Sequence, residues 1–241
     1  MIGINCDMGE GIGNEALLMP YIHAANIACG YHAGDEATME QVVDLCLHYG
    51  VHIGAHPSFP DRANFGRTTM QLSLAEIYTL VTDQLTILNA VVVKKGAGLH
   101  HVKPHGALYN MAAQQTPVAH AIARAVRDFD PSLVYYGLSG SVMIDMAQEE
   151  GLQTANEVFA DRTYQPDGSL TPRSQPHALI THEALMLEQV LRFIQEQRVR
   201  TITGEEIPIK ADTICIHGDG VHALAFAKAI HTTLREKNII P

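Results

Sequence analysis

The stretch "NIACGYHAGDEATMEQVVDLCLHYGVHIGAH" (residues 26–56) decides the fold. It begins with a short apolar run, Asn26–Cys29, and closes on another, His52–Ala55. Between the two runs, residues 36–48 repeat apolar side chains at helical spacing, and Gly50 follows as a natural helix stop. A strand, a helix and a second strand joined in this order form the repeating unit of a parallel sheet.

The same unit recurs along the whole chain. Most of the apolar runs are continuous rather than alternating, which is typical of strands buried on both faces of a parallel sheet. Strands are predicted at Gly3–Cys6, Asn26–Cys29, His52–Ala55, His101–Lys103, Leu133–Leu138, Thr154–Phe159 and Thr213–His217. Helices are predicted at 36–48, after the Ser73/Glu76 capping box, and at Pro117–Asp128, Ser141–Glu150, His182–Gln197 and Val221–Lys237.

Seven alternations of strand and helix without a break in composition predict one α/β domain over residues 1–241. We expect a seven-stranded (β/α) barrel, TIM-like but one strand short of the usual eight. A doubly wound open sheet is the alternative, because periodicity does not separate a closed sheet from an open one.

Composition excludes several classes of protein. The net charge of -10 argues against a general binder of nucleic acid or anionic membranes, since either needs a basic surface. No apolar stretch is expected to reach the roughly 18–20 residues of a membrane span, and the N-terminus lacks the layout of a signal peptide. The cysteines show no CxxC spacing and are expected as buried thiols; they are Cys6, Cys29, Cys46 and Cys215. We therefore expect a cytoplasmic protein that acts on a small molecule.

The longest connections follow strands rather than helices. The segments 57–72 and 160–180 are long and polar, whereas the helix-to-strand connections are short. Loops longer than about 12–15 residues in a compact domain are usually functional, and (β/α) folds carry their active sites at the carboxyl ends of the strands. One exception, "TITGEEIPI" (201–209), is predicted as a small hairpin on the opposite side, without a function.

Ionisable side chains recur at the ends of the predicted strands. A lone aspartate there often caps a helix, as Asp35 or Asp219 could, and a lone histidine is more often structural. Four histidines at four separate strand ends instead favour a shared cleft suited to proton transfer and oxyanion stabilisation. Lys103 is the most informative residue, because a charge within a strand is costly unless it faces a polar cavity. The candidate catalytic residues are Asp7, Glu10, His32, His56, Lys103, His105, Glu157, His217 and Asp219.

A metal site and a nucleotide site are both open from the residues alone. Asp7, His32, His56 and His217 could together bind a divalent metal, although no HxH or HExxH spacing supports it. The glycine-rich "GEGIG" (9–13) matches neither GxGxxG nor a Walker loop and is weak support for nucleotide binding.

Several blocks of the chain resemble the signature blocks of the LamB/YcsF family. They are "NCDMGEG", "ANIACGYHAGD", "GAHPSFPDRANFGR", "HVKPHGALYN", "EVFADRTYQPDGSLTPRS" and "HGDGVHALAFA". Members of that family serve as the A subunit of bacterial 5-oxoprolinase. The resemblance implies a barrel of the glycoside hydrolase/deacetylase type and hydrolysis of 5-oxo-L-proline to L-glutamate, coupled to ATP hydrolysis to ADP and phosphate. It further implies ATP as co-substrate, with Mg²⁺ as the ion that could accompany it, and 5-oxoprolinase subunits B and C as partners.

Under that resemblance the strand-end residues take hypothetical roles. Asp7, Glu10 or Glu157 would activate water, and one of the four histidines would move a proton to the ring nitrogen. The 160–180 segment would act as a lid. The candidate substrate- and phosphate-binding residues are Lys103, Asp161, Arg162 and Arg173. Two alternatives stay open: a metal-dependent amide hydrolase of the deacetylase type, and a non-catalytic subunit that only binds the substrate.

Overall fold

Seven parallel strands close into a barrel in the computed structural model, which describes residues 2–220 and 222–240. The strands are β1 (Gly3–Met8), β2 (Ala24–Ala28), β3 (His52–His56), β4 (His101–Val102), β5 (Val134–Leu138), β6 (Gln153–Phe159) and β9 (Thr213–Ile216). The last strand, β9, pairs with both β1 and β6, and this double pairing closes the sheet. The predicted barrel is confirmed, and the open-sheet alternative is excluded.

Helices surround the barrel. They are α1 (Glu15–Leu18), α2 (Glu36–Tyr49), α3 (Leu74–Lys94), α4 (Gly106–Gln114), α5 (Thr116–Phe129), α6 (Val142–Glu149), α7 (Glu183–Gln195) and α8 (Ala223–Glu236). Local sequence sets their ends as expected: Asp35 accepts a hydrogen bond from the Thr38 N–H at the start of α2, and Ser73 forms its capping box with Glu76 on α3. The predicted start of the last helix, Val221, lies outside the described residues.

Three differences from the predicted elements affect the site. Strand β1 continues to Met8, so that Asp7 lies within the strand and not after it. Strand β4 is only two residues long, which places Lys103 just beyond its end. Helix α4 has no counterpart among the predicted elements, because its nine residues begin at a glycine and run almost directly into the proline-marked start of α5.

The predicted hairpin exists, but its expected position is wrong. Strands β7 (Arg198–Arg200) and β8 (Glu206–Pro208) pair in antiparallel fashion. The N–H of Ile202 in their turn donates to the carbonyl of Tyr164, which belongs to the long segment after β6. Tyr164 lies there because its segment folds back along β6, where its hydroxyl accepts a hydrogen bond from the Phe159 N–H. The hairpin therefore supports the segment that the sequence predicts as a lid.

Helix α3 corrects one expectation drawn from composition. It is long and apolar enough, by those two criteria alone, to cross a membrane, and 44% of the relevant window is buried. Its buried side chains, including Ile77, Val81, Leu85 and Leu88, pack into the core of the barrel. Its apolar character is thus accounted for by packing within the fold. All four cysteines are buried free thiols, as predicted.

Candidate active site

A cavity of about 370 Å³ opens at the carboxyl ends of the barrel strands. Its wall includes Asp7, His56, Lys103, His105 and His217, which come from four different strand ends and are brought together only by closure of the barrel. The segment after β6 covers one side of the cavity with residues 169–170 and 172–174. A cleft lined by carboxylate, imidazole and ammonium groups is suited to acid–base chemistry on a small polar molecule.

Lys103 lies at the centre of the cluster and is only 2% exposed. Its Nζ is 2.9 Å from Oδ1 of Asp7 and 2.8 Å from Oε1 of Glu157, and it donates to Sγ of Cys215 at 3.0 Å. Burial alone would lower the pKa of Lys103, but the nearby Asp7, Cys215 and Glu157 outweigh it and raise the pKa well above its usual value. The ammonium group is therefore charged and held in place on several sides.

Glu157 is fully buried beside Lys103. Its Oε2 accepts a hydrogen bond from the hydroxyl of Tyr109 at 2.7 Å, whereas its Oε1 has no hydrogen-bond partner of standard geometry among the described residues. The contact of Oε1 with Lys103 is thus an ion pair rather than a well-directed hydrogen bond. Tyr109, on α4, is a site residue that sequence reasoning missed; burial and then Glu157 raise the pKa of its hydroxyl well above the usual value.

Buried Asn26 fixes the other carboxylate of the cluster, Asp7. Asn26 donates to Oδ1 of Asp7 and to Oδ1 of Asn5, each at 2.8 Å, and in turn accepts from Nε2 of His101 at 2.8 Å. Burial alone would raise the pKa of Asp7, but His56 and Lys103 outweigh it and hold the pKa well below its usual value. Asp7 is therefore an ionised, oriented carboxylate at the floor of the cavity.

Three imidazoles form a compact group at the edge of this floor. The rings of His32 and His105 stack with centroids 3.9 Å apart, and Nδ1 of His105 is 2.9 Å from Nε2 of His56. Nε2 of His32 is 3.1 Å from Oε1 of Glu10, which places both of these residues behind the rings that line the cavity. Burial and then the neighbouring His56 lower the pKa of His32 to about 3, so that this ring is neutral at pH 7.

Close backbone contact holds His105 in position. The next residue, Gly106, has a positive φ of 57°, and a Cβ there would meet the carbonyl oxygen of Gly66 at 2.5 Å. The glycine therefore lets the start of α4 approach the 57–72 segment, whose Phe65 carbonyl accepts from Nε2 of His105. This explains why the "KPHG" junction after β4 needs a glycine.

His217, which lines the cavity, forms a pair with Asp161. Nδ1 of His217 is 2.9 Å from Oδ1 of Asp161, and the imidazole stacks on the ring of Phe159. Burial alone would raise the pKa of Asp161, but the interaction with His217 outweighs it and lowers the pKa. An imidazole oriented by a carboxylate in this way is a common acid–base unit.

The arginines that line the cavity differ in how many contacts they make with other protein groups. Arg162 is buried and donates to the carbonyls of Thr171 and Ala178, so that it ties the long segment to the barrel. Arg173 is exposed on that segment and lines the cavity. Arg67, which sequence reasoning missed, also lines the cavity and forms an ion pair with Asp219 at 2.6 Å. Asp219 therefore binds an arginine 152 residues away instead of capping α8.

Metal-ligand atoms converge in two places within the described ranges 2–220 and 222–240. One group comprises Asp7, Glu10, His56 and His105, and the other comprises Asp7, Cys215 and His217. The four residues expected from sequence are divided differently: His32 faces Glu10 and Ser58, and His217 faces Asp161. In the first group, Glu10 and His105 lie beside Asp7 and His56 where the sequence predicted His32 and His217.

Comparison with known proteins gives consistent results. The sequence profile of the LamB/YcsF family matches residues 2–240. The chain is 50% identical to the A subunit of 5-oxoprolinase from Tolumonas auensis, over 99% of this chain and 97% of the relative. It is 52% identical to the A subunit of 5-oxoprolinase from Brevibacillus brevis, over 97% and 94%.

Solved structures agree on the architecture. A lactam utilization protein from Thermus thermophilus superimposes with a TM-score of 0.92 at 38% identity, covering 98% of this chain and 97% of that one. A β-1,4-mannanase of glycoside hydrolase family 113 superimposes with a TM-score of 0.52 at 10% identity, which supports the fold alone. Both superpositions agree with the closed barrel seen in this chain.

Proposed function

The chain belongs to the LamB/YcsF family, and from this we propose that it is the A subunit of an ATP-dependent 5-oxoprolinase. In this proposal it acts with subunits B and C to hydrolyse 5-oxo-L-proline to L-glutamate, with ATP as co-substrate and Mg²⁺ as its counter-ion. The observation that carries the proposal is full-length identity of about half to relatives of that name, in a chain whose cavity surrounds a buried, charged lysine. The proposal includes a cytoplasmic location, which the four free, buried thiols support.

The chemistry explains why ATP would be needed. A five-membered lactam is a resonance-stabilised amide with little ring strain, so that its direct hydrolysis is slow. Transfer of the γ-phosphoryl group of ATP to the amide oxygen would activate the ring carbon toward water. One water molecule opens the C–N bond to give an acyl phosphate, and a second releases phosphate, so that 5-oxo-L-proline, ATP and two waters give L-glutamate, ADP and phosphate.

The buried ammonium of Lys103 is suited to stabilise charge on the amide oxygen. It borders the cavity, and its contacts with Asp7 and Glu157 hold it in one place before the substrate arrives. Preorganised charge in a water-poor site acts more strongly than charge in solvent. We assign Lys103 this role in preference to binding the substrate carboxylate, because Arg173 and Arg67 also line the cavity and are more exposed than Lys103.

The substrate carboxylate or the phosphoryl group needs a cation that is less fully engaged. Arg173 and Arg67 both line the cavity and offer planar donors for an anion. Arg162 instead donates to backbone carbonyls of the 160–180 segment, and we assign it to positioning that segment. The segment would exclude water once the substrate is bound.

The oriented pair of His217 and Asp161 is suited to move protons at the cavity. His217 lines the cavity, and its Nδ1 is engaged by Asp161, which leaves Nε2 as the reactive nitrogen. In this proposal His217 activates water or protonates the leaving ring nitrogen.

A second candidate is a metal-dependent amide hydrolase. It is favoured by the convergence of Asp7, Glu10, His56 and His105 beside the cavity. Such an enzyme would open the lactam without ATP and lose its activity to a chelator. A purely substrate-binding subunit is the weaker alternative, because buried ionisable groups are costly to gather without a chemical use.

The testing experiment measures labelled glutamate formed from labelled 5-oxo-L-proline. The reaction uses extract of a bacterial host that lacks this chain but retains its partners, with purified chain added or withheld and with or without ATP. Glutamate that forms only when chain and ATP are both present supports the proposal. The proposal is contradicted if no sample forms glutamate while the A subunit of 5-oxoprolinase from Brevibacillus brevis restores activity in parallel. Formation without ATP that a chelator stops favours the metal-dependent hydrolase.

A further inference from the structure

Nε2 of His56 and Nδ1 of His105 face each other at the edge of the cavity, within hydrogen-bonding distance. Nδ1 of His56 donates to the carbonyl of Lys103 at 2.7 Å, and Nε2 of His105 donates to the carbonyl of Phe65 at 2.9 Å. In its neutral form each imidazole carries one proton, and in that form both remaining nitrogens present lone pairs. These nitrogens are 2.9 Å apart, and two lone pairs at that distance repel each other. A positive centre beside them, either a proton or a metal ion, removes the repulsion.

The surroundings of the two rings match those of metal-binding histidines. A histidine that binds a metal through one nitrogen generally donates its other N–H to a carbonyl or carboxylate, which fixes the ring and its tautomer. His56 and His105 both do so, and both line the cavity.

Two carboxylates present oxygen atoms to the same point. Oδ1 of Asp7 accepts from Lys103 and Asn26, whereas Oδ2 is free of them and lies 3.3 Å from Nε2 of His56. Oε1 of Glu10 lies 3.5 Å from Nδ1 of His105. One ligand atom from each of the four residues falls within 4.8 Å of the others. We propose that Asp7, Glu10, His56 and His105 bind a single divalent first-row cation such as Zn²⁺.

Contacts behind the four ligands hold them in place. His32 reaches Oε1 of Glu10 with Nε2 and Oγ of Ser58 with Nδ1, and Asn26 fixes Asp7. Ligating carboxylates and imidazoles typically have such partners, and losing one weakens metal binding. A ligand set of two nitrogens and two oxygens suits Zn²⁺ or Co²⁺ better than it suits Mg²⁺ or Ca²⁺, which prefer oxygen ligands alone.

The other convergent group is less suited to a cation. It supplies three ligand residues rather than four, and its Cys215 sulfur accepts from the ammonium of Lys103 at 3.0 Å. A positive charge next to the sulfur opposes a second cation there. The two groups share Asp7 but differ in their histidines, and this difference allows them to be told apart.

The test measures binding of Co²⁺ and of Zn²⁺ to purified chain that has been stripped with a chelator, and it does not depend on the proposed substrate. We expect one equivalent per chain, a visible Co²⁺ spectrum of a four- or five-coordinate site, and two histidine ligands in X-ray absorption. His105→Gln should weaken binding by at least ~10-fold. His217→Gln tests the other group and should bind as the unmodified chain does, as should the surface control His120→Gln.

Two outcomes overturn the proposal. The first is the absence of stoichiometric binding by the unmodified chain, which would mean that His56 and His105 share a proton. The second is loss of binding in His217→Gln with retention in His105→Gln, which would move the ion to the other group. If a variant fails to fold by circular dichroism, the X-ray absorption of the unmodified chain still decides whether two imidazoles bind the ion. Because the readout is binding, failure here leaves the glutamate assay unaffected.

Discussion

Nζ of Lys103 lies 2.9 Å from Oδ1 of Asp7, although 96 residues separate them in the sequence. The contact joins the ends of the first and fourth strands across the inside of the barrel. Both side chains are at least 95% buried, so each charge is stabilised by the other rather than by water.

Removing the ammonium group should destabilise the fold as well as the site. Lys103→Met leaves Asp7 and Glu157 as buried carboxylates without their counter-charge, which costs about 3–5 kcal/mol of unfolding free energy. Denaturant unfolding measures the loss. Lys94→Met is the matched control, because its ion pair with Glu40 is at the surface and its loss should change little. Equal stability of the two variants would contradict the account of the Lys103 cluster.

A methyl group at Gly54 should disrupt the network behind Asp7. A Cβ there would lie 2.1 Å from Nε2 of His101, the atom that donates to Asn26. We expect Gly54→Ala to lower the free energy of unfolding by at least ~1–3 kcal/mol through overpacking. Gly98→Ala, with nothing within 4 Å of its Cβ, is the control. Thermal unfolding of the two variants gives the comparison. An unfolding midpoint of Gly54→Ala equal to that of the unmodified chain would contradict the expected overpacking.

Arg173 should affect binding of the anionic substrate more than turnover. Loss of one charge-assisted hydrogen bond, worth about 1.5–3 kcal/mol, predicts a KM for 5-oxo-L-proline ~10–100-fold higher in Arg173→Gln. The change in kcat should be small, since the guanidinium is exposed at the cavity wall. Steady-state glutamate formation in the reconstituted extract gives both constants, with Arg124→Gln on α5 as the exposed-arginine control. An unchanged KM would remove Arg173 from substrate binding.

The pair of Asp161 and His217 should make part of the stability depend on pH. The pKa of Asp161 in the folded chain lies below its usual value of about 3.9, so the unfolded chain binds the proton more readily. The stabilisation is therefore complete above the unfolded pKa and is lost as the pH falls through the folded pKa. Relative to Asp161→Asn, the unmodified chain should be more stable at pH 6, and the difference should shrink below about pH 4. Denaturant midpoints from pH 3 to pH 6 check this, and a constant difference would refute it.

Much of the fold could be predicted because the βα pattern is local. Continuous apolar runs and amphipathic helices indicated all seven barrel strands, and the rule that strand ends meet on one rim placed the candidate residues around one cavity. Closure itself depends on the pairing of β9 with β1, which no local pattern encodes. Helix α4 was not predicted, because it begins at a glycine and is only nine residues long.

The pairings within the site could not be predicted, since they join residues far apart in sequence. Nothing near Asp219 in the chain indicates that it binds Arg67, and nothing near Glu157 indicates Tyr109. Arg67 stands in the long 57–72 segment, so a search for arginines in both long segments could have found it. The buried asparagines Asn5 and Asn26 were a further signal, because amides in an apolar strand need polar partners inside the barrel.

The central claim is that the buried cluster around Lys103 is part of a reaction centre for 5-oxo-L-proline. The most direct measurement is the rate of labelled glutamate formation, with ATP, in extract reconstituted with Glu157→Gln. This change keeps the shape of the side chain and an acceptor for Tyr109 but removes one charge beside Lys103. We predict a fall in kcat of ~100-fold or more, as when a preorganised electrostatic contact is lost, with His120→Gln as active as the unmodified chain. A folded Glu157→Gln protein that forms glutamate at the unmodified rate would contradict the claim.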